Sequence, residues 1–474
     1  MKFTSDIVIG LEIHIELNTD SKLFCGCKRA GSENEQPNTR TCQVCLGMPG
    51  SKPVVNKKAI EYALKLALAL KCNISKEIFF SRKSYFYPDM SKNYQISQYE
   101  IPLGKNGKLK LKSGKEIGIT RIHVEEDPAA LIHLGSMQKS AFVLVDYNRS
   151  GDPLVEIVTE PDLTSPEEAR DFMNRLITIL SYLEIFDQNS CLIKADANIS
   201  VKESNYSRVE IKNITGFKEI ERALFYEVAR QKKEVSEGKK IKQETRAWNS
   251  ELGTTFSLRT KETEEDYGYI IDPDLTKIEI TDSWIKQIKK EMPELAEEKL
   301  KKFTETHKIK QLDAEVIAAE KGLAEMFEKV AENVDPLLAA KWLRRELVRV
   351  MNYNKKTFAD LEIDETHMID LLKLVESKQI TDTTAQKIME KLMEKPFDVN
   401  KYVKEHNLLA VSDTLTLDKF CKEAIKENPM AVEDYKNGEQ KALNFLVGKV
   451  MQKTKGKATP KIVHELLKRL IKNE

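Results

Sequence analysis

The 474-residue chain has no apolar run approaching the ~20 residues that a membrane-spanning helix needs. The nearest, Ala63 to Leu70, is interrupted by Lys65. Neither a secretory apolar region nor an Arg-rich transit segment separates Met1–Asp6 from the strand-like stretch that follows. There is almost no net charge: 76 Lys+Arg oppose 75 Asp+Glu. That balance excludes the blanket basicity of a histone-like protein and the acidity of a solvating tail, though not a local basic surface. The seven cysteines are few and odd in number. Without an export signal they argue against a disulfide framework, and where they cluster they point to metal. A cytoplasmic protein with no membrane association is expected. Phosphate-cradling motifs are missing too. Gly104-Lys105-Asn106-Gly107-Lys108 has the wrong spacing for a P-loop, and neither a G-x-G-x-x-G turn nor a G-x-S-x-G elbow occurs. Any ATP chemistry would have to use an acid-rich sheet site instead.

Hydrophobic residues make up 41% and charged residues 32% of the chain, enough apolar material for a real core. At roughly 150 residues per domain the length predicts about three folded units. Glycine divides them. Only Gly322, Gly438, Gly448 and Gly456 lie beyond residue 290, where Lys/Glu/Leu/Ala-rich sequence repeats its apolar residues at three- and four-residue spacing. The front is therefore read as α+β and the rest as all-helical, Ala314–Val330 and Pro460–Ile471 being examples. In the front part Leu11–Leu17 alternates, with Glu12, His14 and Glu16 on one face. Ile193–Val201 does the same with Lys194, Asp196 and Asn198, and Val209–Lys212 is a shorter copy. Ser165-Pro166-Glu167-Glu168 predicts a capped helix running to about Leu183.

Cys25-Gly26-Cys27 and Cys42-Gln43-Val44-Cys45 form a C-x-C-x14-C-x2-C pattern, which can supply four thiolates to a structural Zn²⁺. A reduced, metal-free cluster is the alternative. Cys72, Cys191 and Cys421 are expected to be small core residues. A second constellation comprises Glu12 and His14; Glu125, Glu126 and Asp127 after Arg121 and His123; Asp196; and Glu210. Acids gathered on strand faces need cations, and oxygen ligands with an imidazole suit Mg²⁺ and hence a nucleotide phosphate. The bland alternative is that these are solvent-facing strand positions. Aromatic and basic residues interleave from Arg82 to Gln98, as a nucleobase stack, a polar channel or a packed loop would require. From Lys441 to Glu474 nine basic residues meet two acids, a net +7. This stretch fits either a polyanion-binding end or a solvated helical face.

Long ordered motifs add a resemblance. These are G-L-E-I-H-I-E-L (from Gly10) with the cysteine stretch to Gly50, Arg82–Gln98, Ile117–Asp127, D-Y-N-R-S-G-D-P-L-V-E-I-V-T-E-P-D (Asp146–Asp162), K-A-D-A-N-I-S (Lys194–Ser200), E-I-K-N-I-T-G-F (Glu210–Phe217) and Val450–Pro460. Across nearly its whole length the chain resembles the GatB family, the B-type subunits of aspartyl/glutamyl-tRNA(Asn/Gln) amidotransferases. The resemblance implies an antiparallel-sheet cradle like the glutamine synthetase catalytic core over residues 1–290, an all-α domain over 291–398 and a small all-α tRNA-binding tail over 399–474. It implies an ATP-dependent carbon–nitrogen ligase. The side-chain carboxylate of Glu-tRNA(Gln) and/or Asp-tRNA(Asn) is phosphorylated, then amidated by ammonia channelled from a partner amidase (glutaminase) subunit. A small third subunit completes the implied heterotrimer. The implied cofactors are ATP, Mg²⁺ and structural Zn²⁺. Glu12, His14, Asp196 and Glu210 match the catalytic, Mg²⁺-holding positions, and Cys25, Cys27, Cys42 and Cys45 the zinc knuckle. For the E-E-D motif, alternation favours Glu125 and the family motif favours Glu126. Glu126 is preferred on the expectation that Pro128 ends the regular ladder. Lys83 and Arg149 match tunnel- or nucleotide-side positions, and Lys453, Lys455, Lys457 and Lys461 are expected to contact tRNA. Ser84, Met90-Ser91 and the stretch Leu258–Tyr269 depart from the family pattern.

Overall fold

The alternating segments become a nine-stranded sheet in a computed structural model. It describes residues 5–32, 34–133, 142–187, 189–260, 268–410, 414–454 and 456–472. The strands are β1 (Ile7–Glu16), β2 (Asn73–Ile74), β3 (Gly104–Lys110), β4 (Glu116–Glu126), β5 (Pro153–Thr159), β6 (Ile193–Val201), β7 (Val209–Thr215), β8 (Glu244–Asn249) and β9 (Thr254–Thr260). Their order is β9-β8-β7-β6-β1-β5-β4-β3-β2. Neighbours are antiparallel except β7 and β8, which run parallel. A parallel pair needs a crossover, and here a helix, α3 (Phe217–Ser236), lies between the two strands in the chain.

Side-chain alternation gives the sheet two unlike faces. Leu11, Ile13 and Ile15 of β1, Ile122 and Val124 of β4, Val155 and Ile157 of β5, and Ala195 and Ala197 of β6 are almost fully buried. They share one core with residues of α1 (Lys57–Ala69) and α2 (Pro166–Leu183) and with Ile220, Ala223 and Leu224 of α3. Each such Ile, Leu or Val is worth about 1.5–3 kcal/mol of transfer free energy. A one-residue slip of register would turn the acids into this core, so the apolar face fixes where the acids point. Helix α2 starts as expected: Ser165 Oγ accepts from the Glu168 N–H at 3.2 Å, with Pro166 in the first turn. The Glu168 carboxylate reaches back one residue further than a capping box, to the Thr164 N–H at 2.8 Å.

The chain divides into two compact units, Met1–Leu295 and Ala296–Glu474. The described part of the second contains helices and no strand. The stretch Ala314–Val330 is helical as expected, in two helices, Gln311–Ala319 and Lys321–Ala331, broken at Glu320. At its end, helices 414–427, 440–453 and 460–472 share a core containing Leu417, Cys421, Leu443, Leu446, Val450, Val463 and Leu467. Cys72, Cys191 and Cys421 are buried, as expected of small core residues. None of the described helices is long and apolar enough to cross a membrane.

Candidate active site and metal centres

Sheet register assembles the site on the face opposite the helices. His14 lies opposite Glu156 of β5 and Lys194 of β6, and Glu156 in turn lies opposite His123 of β4. His14 Nε2 is 3.4 Å from Glu125 Oε1 and 3.3 Å from Glu156 Oε2. His123 Nε2 is 3.6 Å from Glu125 Oε2 and 3.4 Å from Glu156 Oε2. Two carboxylates thus bracket two imidazoles. Burial opposes charge on His14, but the hydrogen bond and charge of Glu156, aided by Glu125, win and lift its pKa to about 9. His123 is lifted to about 9 against the same penalty, with the charge of Glu156 as the largest favourable cause. Burial pushes Glu156 upward, yet the imidazoles hold it well below the usual carboxylate range. One donor atom each from His14, Glu125 and Glu156 falls within 4.8 Å of the others, so the three can share a metal ion.

A second acid group stands beside the first. Glu12 is the cross-strand neighbour of Asp196, and Asn198 is that of Glu210. Glu12 Oε1 accepts from Asn198 Nδ2 at 3.1 Å. Glu210 is buried and accepts from Thr245 Oγ1 at 2.9 Å. The Lys212 ammonium donates to Asp196 Oδ2 at 2.9 Å and is 3.5 Å from Glu210 Oε1. Burial raises the Glu12 pKa, and the charges of Glu156, Glu210 and Asp196 raise it further, which ties the two groups electrostatically.

The ladder does not end early at Pro128. β4 pairs regularly as far as Glu126, which lies opposite Pro153. Glu125 therefore faces the histidines, while Glu126 points away, ion-paired with Lys92 and accepting from the Ile96 N–H at 2.9 Å. Sequence reasoning did not select Glu156 or His123 as site residues. The available signal was an acid inside the apolar run Leu154–Val158, but its meaning depends on lying opposite His14. Lys83 is on a separate three-stranded sheet, opposite Gln95 and Tyr269. Arg149 is 3.1 Å from Asp127 Oδ2 and donates to the Pro128 and Ala129 carbonyls, both at 3.0 Å. In the Arg82–Gln98 segment, Arg82 pairs with Asp272 at 2.8 Å and stacks over Tyr94, whereas Phe86 and Tyr87 are exposed.

The four clustered cysteines come together: one sulfur from each lies within 4.8 Å of the rest. A tetrahedral ion with Zn–S of about 2.3 Å needs sulfurs about 3.8 Å apart. Cys42 and Cys45 are 3.9 Å apart, so the donor set fits zinc. The Cys25 thiol donates to Cys45 and, with Lys22 nearby, outweighs burial to bring the Cys45 thiol down to about 5. The Cys45 carbonyl also accepts from Ser91 Oγ at 3.1 Å and Ser150 Oγ at 3.4 Å. The knuckle is thereby tied to the loop carrying Ser91 and to the turn that precedes β5.

In the tail, Lys453 is bound to Glu427 at 2.6 Å and Glu423 at 3.4 Å, and Lys457 donates to the Asn407 carbonyl. Lys461 is exposed, and Lys455 lies outside the described residues.

Comparison with known proteins agrees with this architecture. Residues 7–286 match a family model described as the GatB/GatE catalytic domain, and residues 325–471 match one described as a GatB domain. The chain is 43% identical to the B-type subunit of the aspartyl/glutamyl-tRNA(Asn/Gln) amidotransferase of Caldanaerobacter subterraneus subsp. tengcongensis, over 98% of each chain. It is 42% identical to the same-named protein of Thermodesulfovibrio yellowstonii, over 98% of this chain and 99% of that one. For that of Methanosarcina barkeri the identity is 43%, over 97% of each. With both family models and full-length relatives agreeing, the chain belongs to the GatB family of aspartyl/glutamyl-tRNA(Asn/Gln) amidotransferase subunits.

Proposed function

We propose that this chain is the carboxylate-activating subunit of a glutamine-dependent, ATP-using amidotransferase, converting Glu-tRNA(Gln) and/or Asp-tRNA(Asn) into Gln-tRNA(Gln) and/or Asn-tRNA(Asn). The observation that carries the reading is one P-loop-free sheet face bearing His14, Glu125 and Glu156 beside Glu12, Asp196 and Glu210. A carboxylate resists attack by ammonia, because its charge repels electrons and oxide is a poor leaving group. Phosphorylating one oxygen supplies a good leaving group, and ammonia then displaces phosphate to give the amide.

His14, Glu125 and Glu156 would hold one Mg²⁺, and Glu12, Asp196 and Glu210 would hold another. When bound, Mg²⁺ neutralises the phosphate charge that otherwise repels an incoming carboxylate. The chain's residues fix these donors in place. His123 lies behind Glu125 and Glu156 and orients both, while Asn198 and Thr245 orient Glu12 and Glu210. Glu125 takes the ligand role that the family motif had pointed to Glu126 for, and Glu126 anchors Lys92 and the strand carrying Ile96. Zn²⁺ at Cys25, Cys27, Cys42 and Cys45 is structural. It closes the knuckle whose Cys45 carbonyl holds Ser91 and Ser150.

The partners in this reading are an amidase (glutaminase) subunit, which releases ammonia from glutamine, and a small third subunit, in a cytoplasmic heterotrimer. Lys83 and Arg149 take polar positions on the tunnel or nucleotide side. The helical region divides into a middle domain (291–398) and a tRNA-binding tail (399–474). The test is reconstitution with both partner subunits, ATP, glutamine and the two misacylated tRNAs in parallel. Amidation of at least one is expected; if neither is amidated, the reading fails.

A further inference from the structure

Three carboxylates on three adjacent strands repel one another, and the Lys212 ammonium offsets part of that repulsion. Lys212 leaves β7 on the same face as Glu210, two residues along the strand. Its ammonium is 2.9 Å from Asp196 Oδ2 and 3.5 Å from Glu210 Oε1, and about a third of its side chain is exposed. Two other cations on this face have partners outside the trio: Lys194 is 3.5 Å from Asp127, and Arg121 is 4.0 Å from Glu156. Among the described residues, Lys212 is the ammonium ion-paired with two of these three acids, Asp196 and Glu210, and its charge also reaches Glu12.

We propose that Lys212 is a tethered competitor of the divalent cation: it holds the Glu12–Asp196–Glu210 carboxylates together until the ion displaces it, and so sets the metal affinity of that site. The proposal rests on the reading above that these acids take a divalent ion.

Mg²⁺ binds carboxylate oxygens at about 2.0–2.1 Å. An ammonium that stays hydrogen-bonded to the same oxygens would sit within roughly 4 Å of the ion. At that separation two like charges repel by several kcal/mol even at an effective dielectric near 20, and the ion carries two. Metal and ammonium therefore exclude each other from the shared oxygens. The flexible four-carbon stem of lysine lets the ammonium move rather than the strand. Once displaced, it needs another anion, and a polyphosphate bound beside the ion provides one. Metal and nucleotide then strengthen each other's binding, reciprocally and by the same factor. Lys212 acts here through the carboxylates, as a positioning residue.

The test is Mn²⁺ binding to the full chain, followed by electron paramagnetic resonance with and without ATP, in wild type and Lys212→Met. The binding phase lost in Asp196→Asn identifies the site. Without ATP, Lys212→Met should bind Mn²⁺ in that phase on the order of tenfold more tightly. The ATP-induced gain should be correspondingly smaller. Structural damage would weaken binding, so a gain in affinity separates competition from misfolding. Lys212→Gln repeats the measurement should circular dichroism show Lys212→Met unfolded. Lys212→Arg keeps the charge and should bind as wild type does. An unchanged or weakened Asp196-dependent phase in both neutral variants overturns the proposal while leaving the metal site intact. If neither wild type nor Lys212→Met shows an Asp196-dependent phase, the two-ion reading falls with it.

Discussion

Glu156→Gln removes one charge at nearly constant volume from the cluster of two histidines and two glutamates, and its effect follows from the linkage of those charges. In the folded, metal-free chain His14 titrates near 9 instead of 6.5, with the hydrogen bond and charge of Glu156 as the largest favourable causes. A group whose folded pKa is raised contributes stability that is fully present below pH 6.5 and is lost as pH climbs through about 9. At about 1.4 kcal/mol per pH unit this contribution is about 3 kcal/mol. His123 draws on the same two carboxylates, so its share does not double the figure. A domain of this size shifts its melting temperature by roughly 2 °C per kcal/mol. In excess chelator, wild type should therefore lose about 6 °C between pH 6.5 and 9 from this source. The variant, left with Glu125 and, for His14, the charge of Asp196 to hold the imidazoles charged, should lose about half as much. Glu16, raised to about 7, and Asp152, raised to about 8, titrate in the same window but are common to both proteins. The assay is the difference between the two melting-temperature profiles, read by circular dichroism at half-unit steps of pH. Parallel profiles would refute the reasoning.

The zinc knuckle and the basic tail carry the other expected outcomes. Purified protein should carry about one Zn per chain, lost in Cys42→Ser; because Cys45 anchors Ser91 and Ser150, its loss should also quicken proteolysis near those residues. Exposed Lys461 should contact a nucleic-acid phosphate, so Lys461→Gln should weaken tRNA binding evenly across sequences and reduce the salt slope by about one. Lys453, already paired with Glu423 and Glu427, should change that slope less when neutralised.

Much of the fold was legible because its signals are local. Period-2 alternation in Leu11–Leu17 and Ile193–Val201 needs no partner to be read, and both became strands of the central sheet. The Ser165-Pro166 start and the end of its helix at Leu183 were equally local. The helical character of Ala314 to Val330 is local too, but its break is not: apolar spacing continues across Glu320, where the backbone turns extended. At the site, alternation alone put Glu125 on the polar face of its own strand with Arg121 and His123, but only if the ladder runs through Glu126. That condition is met by pairing with Pro153, some 27 residues away in the chain.

The sequence by itself determined which residues could be acids on a strand face, which cysteines could share an ion, and that the end of the chain is basic. These follow from composition, spacing and the two-residue repeat of a strand. Tertiary structure alone decided which acids are neighbours. Register brings Glu156 to His14 across 142 positions of chain, divides the carboxylates into two groups, and sets Lys212 among the second. The physical reason is that pairing register is fixed by burying the opposite, apolar face against α1, α2 and α3, a long-range requirement that no local pattern contains.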